Sequence, residues 1–184
     1  MDREALRARQ TPLKARYRTA PEAAVVALRA EGTLRPQAVG CDIATWAGPV
    51  TAGLHPATGG AGDLACSGEM LLQALVGCAG VTLSAVSLAM GIPVRGGRIT
   101  AQAHWDARGT LAVSSEAAVG ITQIQLAVEL ETDATDGQLA KLLELTERYC
   151  VVLQTLVHSA TMTARVTRTP AGPASAFHDK EQST

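Results

Sequence analysis

From Met70 to Val94 the chain carries no charged side chain, and this run limits what the sequence can fold into. About 20 apolar residues suffice to span a bilayer, so a membrane helix is the obvious rival reading. Gln73, Thr82, Ser84 and Ser87 interrupt the run, and its backbone is weighted toward Ala and Gly rather than Leu and Ile. Small residues let neighbouring helices come close, so the segment is read as the central helix of a folded core, ended by Gly91 and Pro93. With 184 residues, 47% of them hydrophobic, the chain can build one such core.

Sixteen Lys and Arg against seventeen Asp and Glu leave a net charge of −1, with no overall field for nucleic acid or an anionic membrane. Aromatic residues make up 3% of the chain, too few for a base-stacking surface. Neither nucleic acid nor a membrane is therefore expected as a partner. Four cysteines are too few for a disulfide scaffold and suit a reducing, cytoplasmic compartment, where any that matter act through reactivity.

Residues 1–34 are expected to form a basic, solvated arm followed by a short helix over 21–31. Residues 35–168 read as the folded domain, and 169–184 as a disordered tail. Two β-leaning stretches, 37–47 and 49–55, come before a glycine-rich loop that contains Gly59, Gly60 and Gly62. Residues 97–106 and 123–131 then alternate apolar and polar side chains, as strands with one wet face do. A turn at 106–109 lies between them, and 110–120 is a weaker strand candidate. Thr135 and Gln138 read as a capping box that opens a helix whose apolar positions run from Leu139 to Val157. Met162, Ala164 and Val166 alternate in a last strand. The expected order is β-β-α-β-β-α-β, an α+β domain of antiparallel sheets with two long central helices.

No nucleotide-binding loop, serine-nucleophile motif or metal-ligand spacing is present, and the four histidines are scattered singly, so no cofactor or metal is expected. Attention falls on the cysteines. Cys78 and Cys150 lie on apolar faces of the two long helices and could meet where those helices pack. A helix-interior cysteine is by base rate a small hydrophobe, and it becomes a nucleophile only where neighbours stabilise its thiolate.

Three segments resemble the OsmC/Ohr superfamily: Gly59-Gly-Ala-Gly62, Ser67-Gly-Glu-Met-Leu-Leu-Gln-Ala-Leu-Val-Gly-Cys78-Ala-Gly-Val-Thr-Leu, and Glu147-Arg-Tyr-Cys150-Val-Val-Leu-Gln-Thr-Leu156. The likeness runs from about residue 35 to 168. It implies an OsmC-like fold, an intertwined homodimer and a thiol-dependent peroxidase of organic hydroperoxides. Cys78 is then the peroxidatic thiol, Cys150 the resolving thiol, Glu69 the acidic residue of the site, and an external dithiol the reductant. Three departures stand out. The family's glutamate position, ten residues before the cysteine, is Gly68 here, and Glu69 stands nine before. The family's Cys-Pro-Val is Cys150-Val151-Val152. No Arg or Lys occurs over 36–68, where the family's activating arginine would be sought, which leaves Arg16, Arg18 and Arg35 as substitutes. The alternative is a non-catalytic member of the fold that binds a small apolar ligand.

Overall fold

The computed structural model describes residues 1–168, so the tail expected over 169–184 lies outside the described residues. Helix α2 (Ser67–Met90) takes in most of the uncharged segment anticipated above and begins three residues before it, with Glu69 in its first turn. It ends on Gly91, whose φ of 71° is left-handed. The Gly91 N–H donates to Leu88 and the Ile92 N–H to Ser87, which satisfies carbonyls the helix end leaves free. Leu75, Ala79, Leu83 and Ser87 form its buried stripe, one residue every fourth position. The opposite face is not buried within the protomer: Gln73, Ala74, Gly77 and Ser84 are exposed and Val81 is 74% exposed. By length and composition α2 could cross a membrane, but here its buried stripe packs on protein.

The alternating segments form β5 (Val94–His104) and β6 (Thr122–Thr132), an antiparallel pair with Ile99 opposite Val128 and Ala101 opposite Leu126. Ala101, Ile124 and Leu126 pack on the Leu75–Ala79 part of α2, and Val128 and Leu130 on its Leu83 part. Between the strands lies a short helix, α3 (Ala107–Thr110), capped by Asp106. The strand considered over 110–120 does not form, and 111–121 is irregular.

A four-stranded sheet precedes α2: β1 (Gly32–Arg35), β2 (Gly40–Thr45), β3 (Gly48–Gly53) and β4 (Ala65–Cys66), paired in that order. Its first three strands are antiparallel, and β4 runs parallel to β3. A turn of 3₁₀ helix, Pro56–Thr58, follows β3, and His55 before it meets the Trp105 ring edge-on at 5.4 Å. The glycine-rich loop is tightly folded: a Cβ on Gly60 would lie 1.8 Å from the Leu54 carbonyl oxygen.

The N-terminal region differs from expectation. Residues Arg3–Thr19 form helix α1, N-capped by Asp2, whose carboxylate accepts from the Ala5 N–H at 2.8 Å. Its Arg-, Ala- and Leu-rich composition favours helix, which outweighs the repulsion among its like charges. The helix expected over 21–31 shrinks to one 3₁₀ turn, Pro21–Ala24. Val25, Val26 and Leu28 beyond it are 70–88% exposed, so no packing supports an isolated short helix there.

The second long helix is two helices, α4 (Asp136–Tyr149) and α5 (Val151–Val157). The capping box forms as expected, with the Gln138 N–H donating to Thr135 Oγ1 and the Thr135 N–H to Gln138 Oε1. Leu142 of α4 joins Leu83 and Ile92 in the second core cluster. The strand expected over 162–167 does not form. Met162 and Val166 are 90% and 98% exposed, because the described chain places no sheet edge beside them.

Candidate functional site

Cys150 separates α4 from α5. Its φ of −74° and ψ of 106° are extended, so it caps α5 instead of continuing α4. The break has local consequences. The Cys150 N–H still donates to Thr146, while the N–H groups of Val151 and Val152 lose the carbonyl acceptors a continuous helix would give them. The Glu147 carbonyl, one of those acceptors, instead receives the Gln154 side-chain amide at 2.9 Å.

The freed N–H groups lower the pKa of Cys78. Both cysteines belong to one cluster with Leu75, Ala79, Val152, Leu153 and Leu156. Cys150 is fully buried and Cys78 partly exposed. Burial pushes the Cys78 thiol up, but the Val152 N–H, the Cys150 thiol, the Val151 N–H and the Thr82 hydroxyl pull it down, and the net shift is downward. For Cys150 burial again raises the pKa, and the adjacent Cys78 raises it further as acceptor and as charge. The Leu153 and Val152 N–H groups only partly oppose this. The pair is therefore unequal: a reachable sulfur whose pKa is lowered beside a buried sulfur whose pKa is raised. That division of labour suits a nucleophile and a second thiol able to condense with it.

Glu69 is not part of this pair. Nine residues along one helix place it about 13.5 Å and half a turn from Cys78. With Cys66, His55, His104 and Trp105 it lines a separate cavity of about 640 Å³ at the start of α2. Arg35 pairs with Asp42, and Arg16 and Arg18 lie in the last turn of α1. None of these arginines is among the groups that shift Cys78. Cys41, on β2, and Cys66 lie outside the Cys78–Cys150 cluster. Sequence reasoning sought a guanidinium and missed the backbone donors of α5. Thr82, one turn after Cys78, was legible from its spacing.

The family model for OsmC-like proteins matches residues 60–165, which include both cysteines and every element from β4 to α5. The chain belongs to the OsmC-like family. Solved structures of OsmC-like proteins share its fold at low identity. An OsmC-like protein from Mycoplasma pneumoniae superposes with a TM-score of 0.61 at 13% identity, covering 73% of this chain and 89% of that one. One from Vibrio cholerae gives 0.55 at 14%, covering 71% and 94%. A Legionella pneumophila OsmC described as an organic hydroperoxide resistance and predicted redox protein gives 0.54 at 11%, covering 73% and 93%. No curated protein is a significant match. For this OsmC-like protein the likenesses establish the fold and leave the reaction to its own side chains.

Proposed function

We propose that this OsmC-like protein is a thiol peroxidase that reduces organic hydroperoxides through Cys78 and Cys150. The observation that carries the proposal is the meeting of a partly exposed Cys78 on α2 with a fully buried Cys150 at the start of α5, in one apolar cluster. The Cys78 thiolate attacks the terminal oxygen of the hydroperoxide and breaks the O–O bond. The alkoxide leaves and takes a proton from solvent, and Cys78 becomes a sulfenic acid. The Cys150 thiol then attacks that sulfur, water departs, and a disulfide forms. An external dithiol reduces the disulfide and is itself oxidised. The backbone N–H groups of α5 fill the place of the family's arginine. Apolar neighbours such as Leu75 and Val152 favour alkyl hydroperoxides over hydrogen peroxide. The active form in this reading is a homodimer in a reducing cytoplasm, whose second copy covers the exposed face of α2 and pairs with residues 162–167.

Peptide mass spectrometry after cumene hydroperoxide treatment tests the reading. A Cys78–Cys150 disulfide is expected in the wild type, and a Cys78 sulfenic acid that over-oxidises in Cys150→Ser. Unmodified Cys78 in both proteins would refute it. The second reading, a non-catalytic protein for a small apolar ligand, draws on a cavity of about 270 Å³ lined by Leu83, Leu126, Val128, Leu130, Leu139 and Leu143. A co-purified apolar molecule in native mass spectra, together with inert thiols, is its signature.

A further inference from the structure

Charge is unevenly placed along this chain. The first twenty residues hold six of the sixteen Lys and Arg but only two of the seventeen acids, which leaves the rest with a net charge of −5. Elsewhere Arg29, Arg35, Arg95, Arg108 and Lys141 are ion-paired. Among the described residues no cation of α1 has an acidic partner within salt-bridge distance. At about 100° per residue Arg3, Arg7, Gln10 and Lys14 fall within an arc of about 60° on the helix, while Arg9 and Arg16 point to the far side.

That arc faces a groove. A cavity of about 220 Å³ lies between α1 and the C-terminal end of α2, lined by Arg3, Leu6, Arg7, Gln10, Lys14 and Ala89. Arg3 marks its α2 side, with a guanidinium nitrogen 3.5 Å from where a Gly91 Cβ would stand. Three cations and a carboxamide converge there, and no carboxylate is among the lining groups. Glu4 instead lines the neighbouring opening with Arg3 and Arg7. Like charges at i and i+4, as in Arg3 and Arg7, repel each other unless a counter-anion joins them. Leu6 and Ala89 supply an apolar wall that weakens screening of charge inside the groove.

We infer that this groove binds a phosphoryl group, held by the guanidinium forks of Arg3 and Arg7 and the Lys14 ammonium. A tetrahedral oxyanion carries the most acceptor atoms and charge in so small a volume, and arginine forks match its geometry. The site is independent of the thiol chemistry. It lies at the C-terminal end of α2, whereas Cys78 stands mid-helix, thirteen residues, or about 20 Å, from Gly91.

The test is calorimetric titration of the full chain with inorganic pyrophosphate at ionic strength fixed with sodium chloride, alongside flotation with phosphatidylcholine vesicles containing phosphatidic acid. Saturable binding in either arm supports the inference, provided that Arg7→Gln with Lys14→Gln weakens it at least tenfold and Arg9→Gln with Arg16→Gln changes it less than twofold. The arm that binds identifies the source as a soluble phosphate compound or a lipid headgroup. Losing two like charges relieves repulsion within α1, and circular dichroism of both double variants checks that the helix is retained. Binding in neither arm, or equal weakening by the two double variants, overturns the site.

Discussion

Replacing Val151 by proline isolates the backbone contribution to the Cys78 thiolate. Val151 is the first residue of α5, where proline costs no intrahelical hydrogen bond and has a suitable φ. Its side chain is 66% exposed, so little packing is lost. The substitution removes one of the two N–H groups that favour the thiolate and leaves the stronger one, at Val152. A hydrogen bond to a charged group contributes about 1.5–3 kcal/mol. Cys78 is only partly buried, so the lower end applies, and the thiolate-to-thiol ratio falls about tenfold. A more basic thiolate is also a better nucleophile, so the observed rate falls only about three- to fourfold. The assay is Cys78 alkylation by iodoacetamide against pH, read by peptide mass spectrometry. Reactivity rises as pH passes through the Cys78 pKa, so the V151P curve moves to higher pH. Val151→Ala keeps the N–H and leaves the curve in place. An unmoved V151P curve, or an equal shift in V151A, would refute the assignment of α5 as the activating group.

Three stability predictions follow from the packing. Leu142→Ala empties a fully buried position beside Leu83 and Ile92 and should cost about 2–5 kcal/mol in urea unfolding. Gly60→Ala drives a methyl group into the Leu54 carbonyl and should cost about 3 kcal/mol, more than an exposed loop change otherwise does. Thr135→Ala removes the capping-box acceptor and should lower stability by about 1 kcal/mol, with Thr135→Ser close to wild type.

Where the fold was legible, one local signal decided the outcome. Alternation from Ile99 to Ala103 and from Ile124 to Leu130 marked two strands, and their register sets Ala101 against Leu126. Thr135 with Gln138 marked the start of α4, and the uncharged run marked α2. Failures came where packing outside the segment decides. Pro21 and Gly32 frame 21–31 like a helix, yet Val25, Val26 and Leu28 have nothing to cover them. In α1 the reverse occurred: six cations marked a basic, solvated arm, and the helix that Asp2 caps there was not anticipated. The α2 sequence suggests burial nearly all round, but the described chain buries a single stripe of it. The same holds for 162–167, whose alternation suits a strand but which pairs with none of the strands of the described chain.

The break at Cys150 left no mark on hydrophobic periodicity, because α5 continues the apolar spacing of α4 after one extended residue. Its value lies in hydrogen bonding. In an unbroken helix Val151 would donate to Glu147 and Val152 to Arg148, and neither N–H could reach Cys78. The extended Cys150 removes both bonds, and the chain offsets one loss by turning the Gln154 amide onto the Glu147 carbonyl. The freed donors then lower the pKa of the partly exposed sulfur, while burial raises that of Cys150 beside it. One residue's backbone conformation thus frees two donors beside one thiol and leaves the other thiol buried next to it. Backbone donors freed by a single break carry no residue signature of their own, so they are not legible in a sequence in the way an arginine is.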